Sequence, residues 1–129
     1  MIKNISNLGD AALYCDFGKD INKETNTKVI RYFKSIQKEN IEGVNNLTPS
    51  YNKLIVSFDL RKTNFKDLKR FIENLEINKS DNFRNKIIKI PVCTDKSFSL
   101  DIKRLEEKLT INKEQIYEKF FNKEFFCYM

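Results

Sequence analysis

The chain contains no histidine. Ser-His-Asp and Cys-His nucleophile systems both need an imidazole base, so neither can be assembled from this sequence alone. Zinc sites that rely on imidazole are excluded for the same reason. Cysteine is scarce: Cys15, Cys93 and Cys127 are far apart, and no CxxC pair exists to suggest a structural zinc site. Cys15 lies in an apolar, strand-like run and reads as a buried thiol. Cys93 would need a neighbouring base or a lowered pKa to act as a nucleophile. Its only near basic residues in sequence are Lys89 and Lys96, so it reads as a structural thiol. No apolar run approaches the ~18 residues of a membrane-spanning helix. The opening Met1-Ile2-Lys3-Asn4 lacks the features of a signal peptide, so a cytoplasmic location is expected. Like charges never run to five, which argues against a charged tail.

What is present suits one domain, or one domain with a fragment: 129 residues, 40% hydrophobic, net charge +6. The lysines are spread along the chain and read as solvated faces rather than a nucleic-acid stripe. An RNA-reading sheet would carry a Lys/Arg-Gly-aromatic motif, and no inferred central strand has one. Neither nucleic acid nor membrane is expected as a partner.

Apolar segments at residues 2–8 and 12–17, split by Gly9-Asp10, predict a hairpin. Asp20 or Asn22 can cap a helix over residues 22–39, in which Val29, Ile30, Phe33 and Ile36 recur at helical spacing. Residues 44–48 and 54–58 predict a second strand pair around the turn formers Pro49-Ser50-Tyr51-Asn52. Thr63 or Asn64 caps a second helix over residues 65–75, with Phe65, Leu68, Phe71, Ile72 and Leu75 as its apolar stripe. Residues 76–85 are polar and read as a mobile loop. Residues 86–92 then predict a strand, with Pro91 at its end or at an edge position. From residue 12 to 92 this order is βαββαβ. The fold class is therefore α+β, a ferredoxin-like sandwich with an extra N-terminal strand. A short helical C-terminal segment follows. Ser99 caps a helix carrying Ile102, Leu105 and Leu109, and Asn112 with Gln115 forms a capping box for the next. Residues 125–129 read as a strand-like end rich in aromatics.

Four stretches together resemble the allophanate hydrolase subunit 1 family, a carboxyltransferase-domain family that includes the B-type subunit of 5-oxoprolinase and the kinase inhibitor KipI. Residues 8–18, Leu8-Gly9-Asp10-Ala11-Ala12-Leu13-Tyr14-Cys15-Asp16-Phe17-Gly18, are similar to its opening LGDxALxVxFG. Residues 43–56 resemble its GVxxxxPxYxSLLV, and Ile90-Pro91-Val92-Cys93 its IPVCY. Residues 109–129 resemble its helix pair followed by YxVYM. The resemblance implies that residues 1–85 are the N-terminal α/β domain. Residues 86–129 would hold the last strand of that sheet and the truncated start of a cyclophilin-like domain. The family continues beyond this point into a Gly- and Pro-rich segment, and Phe120 stands where it commonly has a histidine.

The resemblance implies a subunit, or subunit fragment, of an ATP-dependent 5-oxoprolinase or allophanate hydrolase-type amidohydrolase that acts through partner subunits. Those partners would be a related second subunit, like the C-type subunit of 5-oxoprolinase, and a further hydrolase subunit. ATP would be a cofactor of the assembled complex, with none in this chain. The alternative is a KipI-like inhibitor whose partner is a histidine kinase. No catalytic residue and no metal ligand is assigned. The family-motif positions Gly9, Asp10, Gly18, Pro49, Tyr51, Pro91 and Cys93 are read as mainly structural or partner-binding. For Gly9-Asp10 a tight turn suffices as an explanation, and for Pro49 and Tyr51 a preset turn with a packed ring.

Overall fold

The computed structural model describes residues 1–77 and 86–128. The chain divides into two compact units, Met1–Phe83 with Cys127–Met129, and Arg84–Phe126.

The first unit is built on four antiparallel strands: β1 (Asn4–Asn7), β2 (Ala12–Asp16), β3 (Val44–Pro49) and β4 (Lys53–Phe58), in the order β1-β2-β4-β3. Alternation decides which face is covered. Leu13 and Cys15 of β2 and Leu54, Val56 and Phe58 of β4 are buried, while the residues between them are half-exposed. Two helices supply the cover: α1 (Lys23–Glu39) through Val29 and Ile36, and α2 (Phe65–Glu73) through Leu68 and Ile72. Each fully buried aliphatic side chain contributes about 1.5–3 kcal/mol. The eleven buried apolar side chains among the described residues all lie in this unit.

The ends of these helices follow the sequence reading. Asn22 caps α1, its Oδ1 accepting from the Thr25 amide at 2.8 Å. Asn64 caps α2 in the same way, accepting from the Asp67 amide at 3.1 Å. A bulge between Val44 and Asn46 interrupts the β3–β4 ladder.

The expected strand over residues 86–92 does not form; the segment is irregular and exposed. A βαββαβ sheet places its last strand beside its first. Here that place beside β2 is filled by β1, the extra N-terminal strand. The α+β class stands, with βαββα wrapped around one core. The polar stretch expected as a loop falls largely on residues 78–85, outside the described residues.

The second unit holds α3 (Ile102–Leu109) and α4 (Lys113–Phe121). The capping box at Asn112 and Gln115 is formed in both directions. The cap of α3 is Asp101 rather than Ser99. The Ser99 hydroxyl is instead turned to the Thr94 and Asp95 carbonyls and to the Tyr117 hydroxyl. Neither helix carries a buried residue. Residues 123–128 are irregular, and Met129 lies outside the described residues.

Candidate functional site

Three of the seven motif positions gather at one end of the sheet. β2 ends at Asp16 and turns through Phe17 and Gly18; β3 ends at Pro49; the β3–β4 turn carries Tyr51. Gly18 has φ +119°, which L side chains rarely adopt, and a Cβ there would lie 2.7 Å from the Lys3 Nζ. The backbone is what requires glycine here, because the Lys3 ammonium ends a flexible side chain that can move aside. Gly9 and Asp10 sit at the opposite end, in the β1–β2 turn, where Gly9 has φ +64° and open space around it. The Leu8 amide donates to the Ala12 carbonyl at 2.9 Å to close that turn. Pro91 and Cys93 belong to the second unit and are exposed.

The residues that hold the Gly18 end together are ones the motif reading passed over. Asp16 and Lys53 face each other in the β2–β4 register. The Lys53 ammonium donates to Asp16 Oδ1 at 2.5 Å and to the Gly18 carbonyl at 2.6 Å. The Gly18 amide donates back to Asp16 Oδ1 at 2.7 Å, closing an Asx-type turn. Asn52 Nδ2 donates to the Gly18 carbonyl at 2.8 Å. Asn26, 4% exposed on α1, donates through Nδ2 to the carbonyls of Ser50 and Tyr51 at 3.2 and 3.1 Å. The Asp-x-Gly spacing was readable in the sequence. The Asp16–Lys53 pairing was not, because it depends on a strand register linking residues 37 positions apart.

Electrostatics follow from these contacts. The Lys53 ammonium, and then the Gly18 amide, hold the Asp16 carboxyl below the usual carboxylate range. Asp16 is therefore an anion paired with a cation, and each named donor is engaged within the cluster. The arrangement fixes the β2–α1 connection and the β3–β4 turn as one rigid corner and leaves Tyr51, 50% exposed, projecting from it. Elsewhere, burial pushes the Cys15 thiol up to about 12 and keeps it neutral. Among the described residues, no three carboxylate or thiol groups come together as a metal site, and no helix is long and apolar enough to cross a membrane.

Comparison with known proteins places this architecture. Residues 3–129 match the family described as carboxyltransferase domain, subdomain C and D. The chain is 26% identical to the B-type subunit of 5-oxoprolinase from Bacillus subtilis (strain 168), over 97% of the chain and 57% of that protein. The chain thus spans little more than half the length of this curated relative. Among solved structures, TTHA0988 superposes with a TM-score of 0.68 at 20% identity, covering 83% of the chain and 21% of its own. That likeness shows the fold. The uncharacterized protein PH0987 of Pyrococcus horikoshii superposes with a TM-score of 0.55 at 27% identity, covering 89% of the chain and 53% of its own. With its family matched from residue 3 to residue 129, the chain belongs to the carboxyltransferase domain family, subdomain C and D.

Proposed function

We propose that this chain serves as a non-catalytic part of an ATP-dependent amidohydrolase of the 5-oxoprolinase type, working through partner subunits. The observation that carries this reading is the match to the B-type 5-oxoprolinase subunit along 97% of the chain. Two features of the molecule support it. The polar corner around Asp16 and Lys53 is a structural lock whose donors are engaged within it, so chemistry would have to come from elsewhere in an assembly. The second unit exposes Ile87, Ile88, Ile90, Phe98, Leu100 and Phe125, each at least 65%. A surface so apolar suits burial against another polypeptide. In this reading ATP and the cyclic amide are bound by the partners, a related C-type subunit and a further hydrolase subunit. The test mixes the purified chain with those two subunits and measures binding together with glutamate release from 5-oxoproline and ATP. Binding at micromolar concentration or tighter, with release that depends on this chain, is the expected result. No binding to either subunit would overturn the proposal.

A further inference from the structure

The chain leaves the first unit once and comes back to it at Cys127, so the residues between are held at both ends. At the return point the Tyr128 ring meets the Tyr51 ring, with centroids 5.9 Å apart and planes inclined by 54°. That is a favourable aromatic pairing geometry. We infer that Tyr51 and Tyr128 form a clasp that anchors the returning chain on the β3–β4 turn and restrains α4 through the short link between them.

Tyr51 is a fixed platform. Its carbonyl and that of Ser50 accept from buried Asn26. The Ser50 amide donates to the Lys53 carbonyl at 2.9 Å, and Asn52 ties the next residue to Gly18. The ring itself is half exposed, so the contact with Tyr128 is a surface clasp rather than a core contact. The link to α4 is also packed. Phe125 meets Phe120 at 5.4 Å, Phe120 meets Phe121 at 5.5 Å, and Phe121 meets Tyr117 at 5.8 Å. Rings therefore run from the end of α4 to Phe125, three residues before Tyr128. A short tether packed in this way passes a restraint along the chain, because release of its end frees few residues before reaching the helix. The restraint matters because α3 and α4 bury no side chain fully and so have little core of their own to hold them. The clasp is a conformational device: closed, it restrains the backbone of α4 and of the link that carries Phe125.

The test is hydrogen exchange by mass spectrometry on the full chain, comparing peptides of α4 and of residues 122–128 with peptides of β2 and β4. Tyr51→Ala and Tyr128→Ala should each speed exchange in α4 and the link by about three- to ten-fold, the size of effect that one aromatic pair supports. The double variant should add nothing further, because both changes open one contact. Tyr51→Phe keeps the ring and should behave as the parent. Exchange in β2 and β4 should not move, which separates clasp opening from loss of the fold. Unchanged α4 exchange in either alanine variant, additive effects in the double, or equal acceleration in β2 and β4 would each overturn the inference.

Discussion

Asp16 and Lys53 lie opposite each other in the β2–β4 ladder, and this single pair ties two strands and a turn together. Lys53 and the Gly18 amide hold the Asp16 carboxyl below its ordinary value of 3.8. The folded protein thus binds this proton less readily than the unfolded chain does. The resulting stability is complete above the ordinary value and is lost as pH falls through the folded one. Asp16→Asn should cost about 0.5–1.5 kcal/mol at neutral pH, the range for a partly solvated, charge-assisted contact. Thermal melts from pH 2 to 7 check this: the gap between parent and variant should close at the acid end. A gap that stays constant with pH would mean that the carboxylate's charge contributes nothing. At this scale the sequence was partly legible. Gly9 stood out as a turn position and Gly18 as a family-motif position, and both have positive φ. Asn52 was legible only as a turn former, and Lys53 and Asn26 carried no local signal, because their partners come from distant segments.

At the level of elements, caps and periodicity located α1, α2 and α4, since Asn22, Asn64 and Asn112 each accept a hydrogen bond from an amide in the first turn of their helix, while periodicity alone located α3. The β-branched run at residues 86–92 was less informative. Period and propensity show that a segment is competent to be a strand, but not whether a sheet edge is free to take it. β1 holds that edge, and Ile87, Ile88 and Ile90 remain exposed. Ser99 failed as a cap for a related reason: its hydroxyl found carbonyls in the preceding turn, and the cap falls two residues later, at Asp101. Burial also ranks the helices. Leu68 of α2 is 2% exposed in the core, so Leu68→Ala should cost about 2–5 kcal/mol. Ile116 of α4 is only half-buried, and Ile116→Ala should cost about 1 kcal/mol. Urea unfolding followed by far-ultraviolet circular dichroism measures both. Equal costs would mean that α4 is as firmly packed as α2.

Across the whole molecule, the buried apolar side chains among the described residues are confined to the first unit, while exposed ones concentrate in the second. Such a division is unfavourable for an isolated chain and favourable for one that completes a larger assembly, because apolar surface left in water contributes nothing until a partner covers it. The two roles can be separated at Ile90, 77% exposed on the irregular segment after residue 86. If that segment matters only for assembly, Ile90→Asp should leave the melting temperature of the free chain within experimental error, as surface substitutions usually do. The same change places an unpaired carboxylate where an apolar contact is expected. Affinity for the partner subunits should then fall by about ten-fold or more, the effect of losing one central interface residue. Isothermal titration of parent and variant, alongside their thermal melts, gives both quantities. A lowered melting temperature with unchanged affinity would reverse the assignment and make residues 86–92 part of the chain's own fold. An unchanged melt with unchanged affinity would move the assembly surface away from this segment, toward the Phe120–Phe125 rings of α4 and its link.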